Sequence, residues 1–246
     1  MYGLPSSVGA CLFDLDGVLT ATAEVHAKAW KTVFDSYLEA TARRTGAPFV
    51  PFGVEDYERY VDGRPRADGA RAFLASRGIR LPEGLPDDSP GAETVCGLTN
   101  AKNDVFARLL HGEGVAAYEG SKRYVRAVRD FGMRTAVVSS SRHCKEVLTS
   151  ARISDLFDAV VDGVAAQEMR LAGKPAPDAY LEAARELGLG PARAAVFEDA
   201  LAGVEAGRAG AFGCVVGVDR IGQSAELLRH GADVVVTDLA ELLDRP

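Results

Sequence analysis

The second half of the chain alternates short apolar runs with longer stretches of helical periodicity. The apolar runs after Gly120 are Thr135–Val138, Ala159–Val161, Ala194–Phe197, Phe212–Val216 and Val234–Val236. The helical stretches are Lys122–Phe131, Arg142–Ala151, Asp178–Leu187, Ala200–Arg208 and Ser224–His230. Strands that are apolar on both faces and are joined by helices belong to a parallel sheet covered on both sides. The pattern therefore predicts an α/β fold built on a Rossmann-like, doubly wound parallel sheet.

A mostly helical segment interrupts this pattern near the start of the chain. The apolar run Ala10–Phe13 ends at Asp14-Leu15-Asp16-Gly17, which predicts a buried strand followed by a turn. The next part has no convincing strand; its helical patterns cover residues 24–45, 55–61, 67–77 and 98–110, with a turn-rich loop at 81–91. We therefore predict a core domain of residues 1–21 and 117–246, with a helical domain of residues 22–116 inserted after the first strand.

Composition excludes several classes of protein. The 246 residues carry a net charge of −7, which argues against a basic nucleic-acid-binding face. Apolar runs fall far short of the roughly 20 residues that span a bilayer, and the first ten residues do not resemble a signal peptide. The 4 cysteines include no CxxC pair, which disfavours a zinc site or a disulfide framework. We expect a cytoplasmic protein with no nucleic-acid or membrane partner.

Polar residues follow the predicted strands at their carboxyl ends. Asp14 and Asp16 follow the first strand, Ser139 follows Thr135–Val138, and the Glu198-Asp199 pair follows Ala194–Phe197. Ligands of parallel sheets bind at this edge, so we expect these groups to converge there with Lys174, which lies just before a helix. At a dielectric of about 20 and a separation of about 5 Å, each pair of carboxylates repels by roughly 3 kcal/mol. A divalent cation removes that penalty, and oxygen ligands favour Mg²⁺.

This set of side chains suits phosphoryl transfer to a carboxylate. One Asp can attack phosphorus, a hydroxyl and an ammonium can hold the phosphoryl oxygens, and a second Asp can move a proton. Each group alone has a plainer explanation: Asp16-Gly17 as a turn, Glu198-Asp199 or Ser139 at a helix start, and Lys174 as a solvated lysine. Their occurrence together favours catalysis.

Four parts of the chain, taken in order, resemble the four motifs of the haloacid dehalogenase superfamily. They are the segment that starts with Asp14-Leu-Asp16-Gly17, then Ser139, then Lys174, and finally Glu198-Asp199. The resemblance covers nearly the whole chain, and the inserted helical segment resembles the cap domain of that superfamily. Further segments resemble its beta-phosphoglucomutase family: residues 14–26, 61–66, 102–103, 139–143 and 173–177.

The resemblance implies a role for each core residue. Asp14 would be the nucleophile and Asp16 the general acid and base. Mg²⁺ would be held by the side chain of Asp14, the backbone carbonyl of Asp16, and the Glu198-Asp199 pair. Ser139 and Lys174 would hold the phosphoryl group in transfer.

The resemblance also implies a set of substrate-binding residues. Arg66, with Gly63 shaping its loop, would bind the second phosphate of the sugar, joined from the core by Arg142 and His143. The core loop containing Ser140 and Ser141 would contribute to the same substrate site. Thr22 and His26 would help to align Asp16, and Lys102 would reach a sugar hydroxyl or phosphate. The alternatives are that His26 packs against Trp30, and that Arg66 and Lys102 lie on the solvated surface.

The function implied by the resemblance is a Mg²⁺-dependent phosphomutase that interconverts beta-glucose 1-phosphate and glucose 6-phosphate through a sugar bisphosphate. The expected partner is a small sugar phosphate, and the expected state is a monomer. The alternatives are a phosphatase acting on a small sugar phosphate and a non-catalytic binding domain. The chain departs from the family pattern at Ala21, where an acid is common, and in a longer loop around Leu81–Glu93.

Overall fold

A parallel β-sheet forms the centre of the first of two structural units. The computed structural model describes residues 2–245, except for the side chains of His111 and Glu113. Within that range the strands are β1 (Ala10–Phe13), β2 (Arg134–Val138), β3 (Ala159–Val161), β4 (Ala194–Glu198), β5 (Cys214–Val218) and β6 (Val234–Val236). Their order in the sheet is β3-β2-β1-β4-β5-β6, and every neighbouring pair is parallel. The strand order reverses between β1 and β4, which is where sheets of this type bind ligands.

The helices fall into two groups along the chain. The first group contains α1 (Ala23–Thr45), α2 (Val54–Asp56) with a π-helical continuation (Tyr57–Val61), α3 (Arg66–Ser76) and α4 (Val95–Glu113). The second contains α5 (Glu119–Asp130), α6 (Cys144–Ser150), α7 (Gly163–Glu168), α8 (Asp178–Glu186), α9 (Leu201–Ala209) and α10 (Ser224–His230). Three-residue and four-residue 3₁₀ turns occupy Ser154–Leu156, Pro191–Arg193 and Leu239–Leu242.

Apolar packing on both faces of the sheet explains why its strands are buried. On one face, Leu12 of β1 belongs to an apolar cluster with Tyr180 and Ala183 of α8. On the other, the ring of Phe13 packs edge-on against Tyr124 of α5, with ring centroids 6.4 Å apart. Successive strand residues point to opposite faces, so both surfaces of β1 are covered. The prediction of a doubly wound α/β fold is confirmed.

The chain divides into two compact units, Met1–Ala21 with Val115–Pro246, and Thr22–Gly114. The second unit has its own apolar core, in which Phe34 contacts Trp30, Phe52 and Phe73 with ring centroids 4.4 to 5.1 Å apart. The sequence predicted that the inserted domain ends at residue 116, and the structure ends it two residues earlier, at Gly114. Among the helices of residues 2–245, none combines the length and apolar character needed to cross a membrane.

Candidate active site

Three buried carboxylates meet where the strand order of the sheet reverses. Asp14 directly follows β1, Glu198 ends β4 and Asp199 follows it. The amide of Asp14 donates a hydrogen bond to the carbonyl of Phe197 at 2.9 Å, which ties the two strand ends together. One oxygen from each of the three carboxylates lies within 4.8 Å of the other two, and all three residues are buried. The expected convergence of acids from distant parts of the chain is therefore present in the structure.

Lys174 connects two of these carboxylates. Its ammonium donates to Asp14 Oδ1 and to Glu198 Oε1, each at 2.5 Å, and only 3% of the residue is exposed. A longer bond of 3.4 Å to the carbonyl of Val138 brings the ammonium to the end of β2, the strand that Ser139 follows. The hydroxyl of Tyr180 on α8 donates to the same Glu198 oxygen at 2.8 Å.

The charges of this cluster do not cancel. Burial raises the pKa of the Asp14 carboxyl, Lys174 lowers it, and Glu198 and Asp16 raise it further, so that it lies well above its usual range. Burial lowers the pKa of Lys174, but the two carboxylates outweigh this effect and raise it, so the side chain stays a cation. One ammonium thus faces several buried carboxylates. An all-oxygen donor set with excess negative charge fits Mg²⁺.

Two glycines allow the carboxylates to approach the backbone. A Cβ atom on Gly17 would lie 1.7 Å from Asp199 Oδ2, and Gly17 has a φ of +80°, which other residues rarely adopt. A Cβ atom on Gly203 of α9 would lie 1.7 Å from Glu198 Oε1. Any larger residue at either position must displace a carboxylate of the cluster.

We expect Gly203→Ala to weaken Mg²⁺ binding and turnover by about 10- to 100-fold, because the added methyl group must push Glu198 away from Lys174 and Tyr180. The matched control is Gly190→Ala, because a Cβ atom there meets nothing within 4 Å and the φ of −77° suits alanine. Mg²⁺ titrations of activity and of thermal unfolding measure the effect. Wild-type Mg²⁺ affinity in Gly203→Ala would show that the position of Glu198 is unimportant.

The loop after β2 is organised by its own serines. Ser139 is 4% exposed, and its hydroxyl accepts a hydrogen bond from the amide of Ser141 at 3.1 Å. The hydroxyl of Ser141 accepts from the amide of His143 at 3.2 Å, and His143 Nδ1 lies 3.0 Å from Glu146 Oε2. Ser140 is half-buried and Arg142 is exposed. The loop therefore presents Ser139 at the same sheet edge as the carboxylates.

Asp16 lies at a sharp reversal of the chain after β1. It is half-buried, unlike Asp14, and it forms an isolated β-bridge with Thr20. The amide of Gly17 donates to the carbonyl of Thr20 at 2.8 Å, which closes the turn. Because Asp16 contributes to the raised pKa of Asp14, its carboxylate lies within electrostatic reach of the cluster. A partly solvated acid at this position can exchange protons with water.

In the unit Thr22–Gly114, the structure brings together His26 and Lys102. Lys102 is 4% exposed, and its ammonium donates to His26 Nδ1 at 2.6 Å. The ring of His26 stacks on Phe106 with centroids 4.0 Å apart, and the ammonium lies 4.7 Å from the Phe106 ring and 5.5 Å from the Trp30 ring. A lysine can only donate, so a neutral His26 carries its proton on Nε2. Lys102 is a buried cation rather than part of a solvated helix face.

The other candidate residues of this unit lie at helix starts and turns. Arg66 is half-buried and is the first residue of α3. Gly63 has a φ of +70°, so the turn before α3 uses a conformation that favours glycine. Thr22 is buried before α1, and its carbonyl accepts from the amide of His26 at 2.9 Å.

Sequence reasoning missed three side chains that contact the site. Tyr180 binds Glu198, Gln223 donates to the carbonyl of Asp199 at 3.0 Å, and Arg220 donates to the carbonyl of Gly17 at 2.7 Å. Tyr180 shares the apolar face of its helix with Ala183 and Ala184. The sequence could have revealed Tyr180, because a buried tyrosine hydroxyl needs a hydrogen-bond partner and this tyrosine lies on the apolar face of a helix beside the expected site.

Comparisons with known proteins show the family to which the chain belongs. A model of the haloacid dehalogenase-like hydrolase family matches residues 8–210. The chain is 57% identical over 247 residues to a beta-phosphoglucomutase of Mycobacterium tuberculosis (strain CDC 1551 / Oshkosh), covering 99% of this chain and 94% of that protein. It is 31% identical over 235 residues to the beta-phosphoglucomutase of Bacillus subtilis (strain 168), covering 95% and 91%.

A solved structure is also similar over most of its length. The crystal structure of beta-phosphoglucomutase from Clostridium difficile matches with a TM-score of 0.74 and 25% identity, covering 96% of this chain and 93% of that one. The resemblance to the beta-phosphoglucomutase family inferred from the motifs is thus confirmed. The chain belongs to the haloacid dehalogenase-like hydrolase family and is an enzyme of that superfamily.

Proposed function

We propose that the protein is a Mg²⁺-dependent phosphosugar mutase that interconverts beta-glucose 1-phosphate and glucose 6-phosphate. The observation that carries the proposal is the 57% identity, over 99% of the chain, to a protein named beta-phosphoglucomutase. The buried cluster of Asp14, Lys174, Glu198 and Asp199 supports the phosphoryl-transfer chemistry.

In the proposed reaction, Asp14 attacks the phosphorus of a sugar phosphate. A bond forms between phosphorus and the carboxylate oxygen, and the bond from phosphorus to the sugar oxygen breaks. Asp16 gives a proton to the departing sugar oxygen and later takes one from the hydroxyl that accepts the phosphoryl group. The Lys174 ammonium, 2.5 Å from Asp14 Oδ1, is suited to hold an oxygen of the transferring group together with the Ser139 hydroxyl.

The residues that fit Mg²⁺ are the side chains of Asp14, Glu198 and Asp199, with the backbone carbonyl of Asp16 as a further ligand. When bound, the ion supplies positive charge that offsets the phosphoryl oxygens and the repulsion among the carboxylates. Tyr180 and Lys174 both donate to Glu198 Oε1, and these bonds orient the carboxylate for ion binding.

A mutase also needs a site for the second phosphate of its bisphosphate intermediate. We assign that role to Arg66 on the loop shaped by Gly63, with Arg142 and His143 from the loop that also contains Ser140 and Ser141. Lys102, fixed by His26 and two aromatic rings, would bind a sugar hydroxyl or the same phosphate. Thr22, whose carbonyl fixes the first turn of α1, would help His26 to align Asp16.

The test uses beta-glucose 1-phosphate with Mg²⁺ and a trace of the glucose bisphosphate, followed by phosphorus NMR. We expect glucose 6-phosphate to accumulate about a thousandfold faster than inorganic phosphate. This ratio corresponds to an activation free energy about 4 kcal/mol lower for transfer to the sugar than for transfer to water. Free phosphate as the sole product would instead identify a phosphatase, the second candidate, which needs the core residues but no second phosphate site.

A matched pair of arginine variants tests the second phosphate site. Arg66→Met should reduce mutase turnover by about 10- to 100-fold, because it removes a charge-assisted hydrogen bond to the phosphate. Arg64→Met, two residues earlier on the same half-buried segment, should keep wild-type turnover. Equal losses in both variants would indicate a general effect of charge rather than a site at Arg66.

A further inference from the structure

The loop that follows β5 is held rigid by one buried carboxylate. Asp219 is 7% exposed, and its Oδ1 accepts hydrogen bonds from the amides of Ile221, Gly222 and Gln223 at 2.7 to 3.2 Å. Its Oδ2 accepts from the amide of Ser224 at 2.9 Å and from the Ser224 hydroxyl. These bonds cover the whole loop from residue 219 to the start of α10, so the side chains on it project from a fixed backbone.

Arg220 extends from this loop to the turn that follows Asp16. Its Nε donates to the carbonyl of Gly17 at 2.7 Å, and a second guanidinium nitrogen lies 3.5 Å from the carbonyl of Val18. The third nitrogen donates to the carbonyl of Thr237 at 2.7 Å, and the guanidinium stacks on Tyr118 at 3.8 Å from the ring centroid. Thr237 therefore fixes the guanidinium from outside the turn, whereas Tyr118 is itself joined to the turn, since its amide donates to the carbonyl of Leu19 at 2.9 Å.

The same loop reaches the other half of the carboxylate cluster. Gln223 donates from Nε2 to the carbonyl of Asp199 at 3.0 Å. Gly17, whose carbonyl Arg220 binds, is also the residue against which the Asp199 carboxylate packs, since a Cβ atom there would overlap Asp199 Oδ2. One rigid loop thus contacts the backbone beside Asp16 and the backbone of Asp199.

We propose that Arg220 is a positioning residue for Asp16, and that with Gln223 it fixes the Asp16 turn relative to Asp199. The role assigned to Asp16 rests on the proposed function. The planar guanidinium suits this task because it donates to carbonyls in several fixed directions, whereas a lysine ammonium is a point charge on a flexible stem. Loss of such an outer contact costs about 10- to 100-fold in metal affinity or activity.

The first measurement is hydrogen exchange of the metal-free full-length enzyme, which needs no substrate. The amides of Leu19 and Thr20 both donate to the carbonyl of Leu15, at 2.9 and 3.0 Å, and they report on the turn. We expect Arg220→Met to accelerate exchange in residues 14–21 while leaving the strands of the sheet protected. The control is Arg208→Met on α9, an exposed arginine paired with Asp233 at 3.5 Å, which should exchange like the wild type.

The second measurement separates kcat from KM. We expect Arg220→Met to lower kcat about 10- to 100-fold with KM for the sugar phosphate changed by less than about twofold, because the turn carries the acid and not the substrate contacts. Arg220→Lys should fall between wild type and Arg220→Met. Gln223→Leu should weaken Mg²⁺ binding, followed as the Mg²⁺-dependent rise in Tm, while exchange in residues 14–21 stays at the wild-type rate.

Lower thermal stability in Arg220→Met with wild-type kcat and wild-type exchange at residues 14–21 would overturn the proposal. If Arg220→Met does not fold, Arg220→Lys decides by the same two measurements. If the wild-type enzyme turns over no sugar phosphate, the proposed function fails, and hydrogen exchange alone still decides whether Arg220 holds the turn.

Discussion

Asp14→Asn should abolish sugar-phosphate turnover, with a loss of at least about 10⁴-fold, while leaving the protein folded. An amide is a poor nucleophile, so no phosphoenzyme forms, and removal of a covalent nucleophile commonly costs this much or more. Asparagine has nearly the same shape as aspartate, so the packing at the end of β1 stays unchanged. The effect is measured by steady-state assay and by acid quenching of the phosphorylated protein.

The stability of Asp14→Asn should move in the opposite direction to its activity. The pKa of Asp14 is raised in the folded state by burial, with Glu198 and Asp16 raising it further against the opposing effect of Lys174. A carboxyl with a raised folded-state pKa destabilises the fold once pH exceeds its unfolded-state pKa, because ionisation is easier in the unfolded chain. Neutral asparagine removes that cost, so the metal-free variant should unfold at the same or higher urea concentration at neutral pH.

Asp16→Asn provides the comparison, since the same charge is removed two residues away. We expect its turnover to fall about 10²- to 10⁴-fold, the usual contribution of a general acid and base. It should still accept a phosphoryl group from an acyl phosphate, whose leaving group needs no proton. Formation of a phosphoenzyme by Asp14→Asn, under the conditions in which Asp16→Asn is phosphorylated, would argue against Asp14 as the nucleophile.

The sheet could be predicted from sequence because its strands are buried on both faces. The expected strands Ala10–Phe13, Ala159–Val161 and Val234–Val236 coincide with β1, β3 and β6. The expected strand Phe212–Val216 was wrong at both ends, because β5 spans Cys214–Val218. Phe212 lies before the strand, and its ring packs against Tyr180 of α8. Gly217 lies inside the strand, but it interrupts the run of apolar residues from which the strand was predicted.

Short elements and contacts between distant segments could not be predicted in this way. The helix α7 has six residues, too few for helical periodicity, and it begins where Asp162 accepts hydrogen bonds from the amides of Val164 and Ala165. The carboxylates of the site follow strands, so their position in the sequence revealed them. Arg220 and Gln223 bind the backbone carbonyls of residues more than 20 positions away. Because every residue has a backbone carbonyl, the sequence does not indicate which one a side chain binds.

Lys174→Met should cause a large loss of stability in the metal-free enzyme. The ammonium is buried between Asp14 and Glu198 at 2.5 Å from an oxygen of each, and its removal leaves buried carboxylates without a counter-charge. Breaking a buried ion pair by removing one partner costs about 3–5 kcal/mol in the free energy of unfolding. Urea unfolding in the presence of a chelator measures the loss.

Two further variants separate this electrostatic effect from loss of packing. Lys122→Met removes a lysine whose partner Glu119 is 77% exposed, and it should cost about 1 kcal/mol or less. The double variant Lys174→Met with Glu198→Gln should be more stable than Lys174→Met alone, since it removes one of the unpaired charges. A wild-type free energy of unfolding for Lys174→Met without metal would contradict the assignment of Lys174 as the counter-charge.

Mg²⁺ should restore part of the stability of Lys174→Met but none of its turnover. A ligand that binds only the folded state stabilises it by an amount that grows with the logarithm of the ligand concentration divided by Kd. Without the Lys174 ammonium, the carboxylates attract Mg²⁺ at least as strongly as they do in the wild type. Turnover also needs an ammonium that holds a phosphoryl oxygen beside Asp14, and the ion does not replace this contact. Recovery of both stability and turnover on adding Mg²⁺ would mean that Lys174 serves only to balance charge, whereas recovery of stability alone assigns it a direct part in phosphoryl transfer.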